Sequence, residues 1–104
     1  MGGAVPESTK STLPVPHVLA LRGDIDLASY HKVSGVLLAQ LTRADGPVRV
    51  DLSEVTFLAA VGVRMLLVAA DTARRHGVPL HFGPLSRAVR MVLDATGTRT
   101  ELGC

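Results

Sequence analysis

Apolar positions recur along this chain in two rhythms, one of helical spacing and one of short runs. Between Leu27 and Arg43, the residues Tyr30, Val33, Leu37 and Leu41 repeat at intervals of three and four, while Ser29, Lys32, Gln40 and Arg43 lie off that stripe. This spacing predicts an amphipathic helix. Asp26 stands just ahead of it as the expected N-cap, because its carboxylate can accept from the free N–H groups of a first turn. Gly35 weakens the helix slightly. A second helix is predicted from Ala60 to His76, with Val63, Leu66, Leu67, Ala70 and Ala73 inward, Arg64, Asp71, Arg74 and Arg75 outward, and Gly77 as its stop. A third is predicted from Leu85 to Thr96, burying Leu85, Val89, Val92 and Leu93 and ending at Gly97.

The short apolar runs read as strands: His17 to Leu21, Val48 to Leu52 and Leu80 to Phe82. Gly23 to Asp26 and Asp45 to Pro47 read as turns, and Ser53 to Phe57 as a connection onward to the second helix. Arg99 to Leu102 is expected to add a last short strand, and Leu13 to Val15 is a candidate edge strand. The order β-α-β-α-β-α predicts an α/β domain: an open, mainly parallel sheet joined by right-handed crossovers and packed against three to four helices. Met1 to Pro16, rich in Gly, Pro, Ser and Thr, is expected to form a flexible arm ahead of a single domain over residues 17–104.

Composition narrows the function. A length of 104 residues suits one core. Apolar residues make up 47 % of the chain, which excludes disorder, while aromatics at 3 % are too few for a platform stacking single-stranded nucleic acid. A net charge of +2 is weak, and Arg74, Arg75 and His76 complement a helix C-terminus, so no direct nucleic-acid partner is expected. No apolar run reaches the roughly 18 residues that span a bilayer, and the N-terminus does not read as a secretory signal. Cytoplasm is the default expectation. Cys104 has no partner for a disulfide and no companions at metal-ligand spacing.

Catalytic patterns are sparse. His17, His31, His76 and His81 are scattered, with no helical i, i+4 pair, and no phosphate-binding loop or nucleophile elbow occurs. Asp24 and Asp26 read as a solvated charge and a cap, without a third cation ligand nearby. Neither an enzyme nor a metal or cofactor site is expected. The informative stretch is Val50 to Val63, where a strand ends and a helix opens on Ala59, Ala60 and Val61. The free amides of such a helix start carry about half a unit of positive charge and ordinarily attract anions. Here no side-chain hydroxyl sits among them.

Several segments together resemble a known family. Gly23-Asp24-Ile25-Asp26-Leu27, Val48-Arg49-Val50-Asp51-Leu52-Ser53 with Val55, Phe57 and Gly62, Gly83-Pro84, and Leu93-Asp94-Ala95-Thr96-Gly97 are similar to the STAS domain of bacterial anti-sigma factor antagonists. The resemblance runs from about His17 to Leu102. It implies a switch protein that binds an anti-sigma factor, usually a serine kinase with an ATPase fold, and so frees a sigma factor. In that family phosphorylation of a serine in an Asp-Ser-Ser/Thr-Gly motif breaks the complex. Carried over, the motif falls on Ala59, Ala60, Val61 and Gly62, so only the glycine is kept and Ala60 stands where the phospho-acceptor would be.

The resemblance thus implies a docking face made of Asp24, Ile25 and Asp26 with Leu58, Ala59, Ala60, Val61, Gly62 and Arg64, and without the phosphoserine that would break it by repulsion and desolvation. Ala59, Ala60 and Val61 are expected at the surface and Val63 in the core, with Leu58 open to either reading. Other readings remain: an accessory subunit contacting a transporter ATPase, a sensor of a nucleotide or lipid, and weak self-association into a homodimer.

Overall fold

The computed structural model describes residues 16–104. Three parallel strands, β1 (His17–Ile25), β2 (Val48–Leu58) and β3 (Leu80–Leu85), form one sheet in the order β1-β2-β3. Helix α1 (Tyr30–Arg43) joins β1 to β2, and α2 (Ala60–Arg75) joins β2 to β3. Then α3 (Arg87–Thr96) and a one-turn α4 (Arg99–Leu102) close the described chain. Right-handed crossovers between successive neighbours place α1 and α2 on the same side of the sheet. Burial agrees: in β2, Val48, Val50, Leu52, Val55 and Leu58 are buried, whereas Arg49, Ser53, Glu54, Thr56 and Phe57 are exposed. One face of the sheet carries the core, centred on Ile25, Leu37, Leu41, Leu52, Leu66 and Leu93, and among the described residues no helix covers the other.

The strands run longer than the alternating pattern suggested, and irregular register is the reason. Ala20 pairs with Asp51 but Arg22 pairs with Glu54, and Gly23 pairs with Val55 but Asp24 pairs with Phe57. At both places β2 carries one residue more than β1, which is a bulge. Each extra residue resets the two-residue alternation, so β2 turns inward at Leu52, Val55 and Leu58. Ser53 to Phe57 is therefore strand, where a connection was expected. Gly23 to Ile25 is likewise strand and only Asp26 belongs to the following turn; Gly23 at φ 75° occupies the left-handed region that favours glycine. A third irregularity between Val50 and Leu52 carries β3 on to Leu85, past Pro84.

Two helix expectations also change. Asp26 does not cap α1: its Oδ1 accepts from Ser29 N at 3.1 Å, while Ser29 Oγ accepts from Asp26 N at 3.1 Å. The reciprocal pair closes a turn, so the helix starts at Tyr30 and Leu27 is left outside it. Arg99–Leu102 is helical, not a strand, because Leu102 N bonds Thr98 O at 3.0 Å and this single turn brings Leu102 into the core. The other ends follow known cap chemistry. Ser86 Oγ accepts from Val89 N at 3.1 Å, and Gly97 at φ 71° ends α3. The candidate edge strand at Leu13 to Val15 lies outside the described residues.

The first bulge is pinned by a side chain. Asp51 Oδ1 accepts from Ser53 Oγ at 2.6 Å and from Ser53 N at 2.9 Å. The Ser53 hydroxyl, then its amide, hold the Asp51 carboxyl below its usual range, aided by the charges of Arg49 and Arg22. Because the folded value is lowered, the stabilisation is complete above the ordinary aspartate range, about 4, and is lost as pH falls through the lowered value. NMR titration of the Asp51 side chain should show the Ser53→Ala protein titrating at higher pH than wild type.

Candidate functional site

The C-terminal ends of β1 and β2 lie side by side, with Asp24 paired to Phe57 and Ile25 to Leu58. The chain leaves β2 through Ala59, whose N–H donates to Ile25 O at 2.9 Å. Ala59 is extended (ψ 168°), and its carbonyl accepts from Gly62 N at 2.8 Å and Val63 N at 3.1 Å, which starts α2. No side chain caps this helix, as an alanine at the cap position dictates. Among the described residues, the N–H groups of Ala60 and Val61 find no backbone or side-chain acceptor.

The structure divides the sequence-nominated residues into two groups. Ile25, Leu58 and Gly62 are buried and shape the corner from beneath. Gly62 is required by close approach: a Cβ there would lie 2.5 Å from Leu58 Cδ1 and 2.9 Å from Ile25 Cγ2. Ala60, Asp24 and Arg64 are exposed, and Ala59, Val61 and Asp26 are half-buried. These are accessible, although the Asp26 carboxylate is already engaged with Ser29. Leu58 and Val63 belong to the core.

Three further residues complete the corner and were not nominated from sequence. Leu27, two residues past the end of β1, is 77 % exposed, and Phe57, next to last in β2, is 51 % exposed. Thr56 Oγ1 donates to Asp24 Oδ1 at 2.7 Å, tying β2 to β1 at the rim. Leu27 was legible as an apolar residue directly after a cap-like aspartate. Phe57 was hidden by the bulges, and the Asp24–Thr56 bond joins residues 32 apart, beyond any local pattern.

Chemically the corner combines apolar side chains with bare backbone amides. It contains no histidine: His17, His31, His76 and His81 are all exposed and sit on four different segments. Among the described residues, no three His, Cys, Asp or Glu side chains are grouped to hold a metal ion. No described helix is long and apolar enough to cross a membrane. An apolar groove lined by residues of α2 and α3, of about 330 Å³, begins at the corner with Ala60.

Comparison with known proteins fits this geometry. Residues 8–102 match the family model described as "Mlab, STAS domain". Among solved structures, an anti-sigma factor antagonist from Mycobacterium paratuberculosis superposes with a TM-score of 0.73 at 21 % identity, covering 82 % of this chain and 72 % of that one. The STAS domain of a SulP transporter from Vibrio cholerae superposes with a TM-score of 0.65 at 20 % identity, covering 99 % of this chain and 80 % of that one. No curated protein matches the sequence significantly. With its parallel sheet, its helices on one face and a family match over nearly its whole length, the chain belongs to the STAS domain family.

Proposed function

We propose that this chain is a non-enzymatic docking regulator of the anti-sigma factor antagonist type. It binds an anti-sigma factor of ATPase fold in the cytoplasm through the β2–α2 corner, and so releases a sigma factor. The observation that carries the reading is Ala60, exposed at the uncapped start of α2, with Leu27 and Phe57 also exposed near the ends of the two strands that lead to it. At the position where the family places its phospho-acceptor, this chain has a methyl group. The methyl group itself is cheap to dry on docking, and it has no oxygen to receive a phosphate. Release from the partner therefore depends on affinity and concentration, with no covalent step at this residue.

The test is a transfer assay with ATP and the kinase-fold regulator recovered with the protein from its own cells. Wild type is expected to bind and remain unlabelled, whereas Ala60→Ser is labelled and released. Stoichiometric labelling of wild type at Thr56 or Ser53 would show that the switch has moved, and absence of any complex would remove the reading.

A second reading is favoured by the likeness to a transporter's STAS domain: an accessory subunit of a transporter complex, docked through the same corner. Co-purification separates the two, since recovery of an ATP-binding-cassette subunit favours the second and of a kinase-fold sigma regulator the first.

A further inference from the structure

We infer that the groove between α2 and α3 extends the docking surface and receives an amphipathic helix of the same partner, with an acidic side chain set against Arg64. The inference rests on the docking reading above and adds the place and chemistry of a second contact.

Ala60, Val63, Arg64 and Leu67 form one bank of the groove, and Val92 and Thr96 the other. Ala60, Val63, Arg64 and Leu67 stand at positions i, i+3, i+4 and i+7, so a continuous stripe of α2 faces the groove. On a helix that stands alone such a stripe is solvated, but here it continues directly from the corner, since Ala60 belongs to both. Val68, 46 % exposed, and Met91, 60 % exposed, add apolar surface on the outward sides of α2 and α3. A partner seated on the corner is therefore adjacent to a second unfilled apolar surface.

The shape selects the kind of occupant. Small-molecule sites enclose most of their ligand, whereas this groove is open along its length. Two neighbouring helices with a furrow between them suit a third helix, whose side-chain ridges fill the furrow. Charge selects the chemistry. Arg64 is the one charged residue lining the groove. The ion pairs of the described residues join Arg22 to Glu54, Arg74 and Arg75 to Asp71, and Arg99 to Asp94, so none engages Arg64. Asp71, one turn beyond Leu67, is already held by two arginines at 3.1 Å each. A helix with apolar residues at i, i+3 or i+4, and i+7, and an Asp or Glu beside them, meets both features.

Photo-crosslinking in cells tests this in the full chain. Benzoylphenylalanine is placed at Leu27 to report the corner, or at Leu67 or Thr96, which line the two banks, to report the groove, and the joined peptides are identified by mass spectrometry. The expected result is one and the same partner from all three positions. The groove positions should join a segment with the apolar spacing above and an acidic residue. Arg64→Glu should lower groove crosslinking about tenfold, and Arg64→Lys should restore most of it, with unchanged circular dichroism. Crosslinks from Leu27 alone would overturn the groove inference and leave the docking reading standing. Crosslinks from the groove to a second copy of this chain, or to a different protein from the one at Leu27, would overturn it as well. Silence at all three positions would overturn both.

Discussion

Gly62→Val is expected to lower the stability of the fold by about 3 kcal/mol, and Gly35→Ala to raise it by about 0.5–1 kcal/mol. Both glycines lie in helices, so any difference reflects what surrounds them. A Cβ at position 62 would lie 2.5 Å from Leu58 Cδ1 and 2.9 Å from Ile25 Cγ2, and both neighbours are almost wholly buried. Both are packed in the core, and a branched side chain adds further atoms to the same spot. A Cβ at Gly35 meets nothing within 4 Å, so alanine there only removes backbone freedom from the unfolded chain. For a domain of this size, 3 kcal/mol lowers the midpoint of thermal unfolding by roughly 12–24 °C. Urea unfolding of the two variants should show shifts of opposite sign. A Gly62→Val protein as stable as wild type would mean that the corner is not packed against β1.

The second large effect separates stability from binding. Ala60→Glu puts a carboxylate on an exposed residue in the first turn of α2, where the unpaired amides favour negative charge by about 0.3–1 kcal/mol. The folded domain should therefore be as stable as wild type or slightly more so. Docking would bury that charge between apolar side chains without a partner, which costs about 3–5 kcal/mol and weakens association at least a hundredfold. Calorimetric titration with the recovered partner and thermal unfolding of the same sample measure the two effects together. Unchanged affinity would remove the corner from the interface.

The helices were legible because burial on one side imposes a repeating stripe. Leu37 and Leu41 are buried where the spacing placed them, and Gly97 ends α3 in the left-handed conformation that its position suggested. The α2 stripe was read slightly rotated: Met65, Ala69 and Thr72 are buried, while Leu67 and Ala70 are half-buried. Strand limits were less legible, since alternation identifies a strand only while its register is regular. Two bulges in β2 changed the phase after Leu52 and made true strand look like connecting chain. Arg99–Leu102 shows a different limit: four residues with a single buried leucine carry too little pattern to separate a strand from one helical turn.

The candidate site was legible mainly by resemblance. Ala59 to Gly62 stood out because the family pattern fell on them, not because alanines announce a surface. The resemblance could not show that Ile25, Leu58 and Gly62 are buried, nor that Leu27 and Phe57 stay exposed, because these follow from tertiary packing. The α2–α3 groove depends on helices whose spacing in the fold no local window contains.

One feature of the helix start bears on which proteins can sit there. Among the described residues, the amide hydrogens of Ala60 and Val61 have no acceptor and are left to solvent. Any visitor that closes over them expels that water, and an oily footprint would leave two donors stranded, at about 1–3 kcal/mol apiece. A lasting complex must carry an oxygen of its own to this point, so the bareness of the corner works as a sieve. Greasy surfaces in general are turned away, and a match is kept for the one that arrives with an acceptor in the right place.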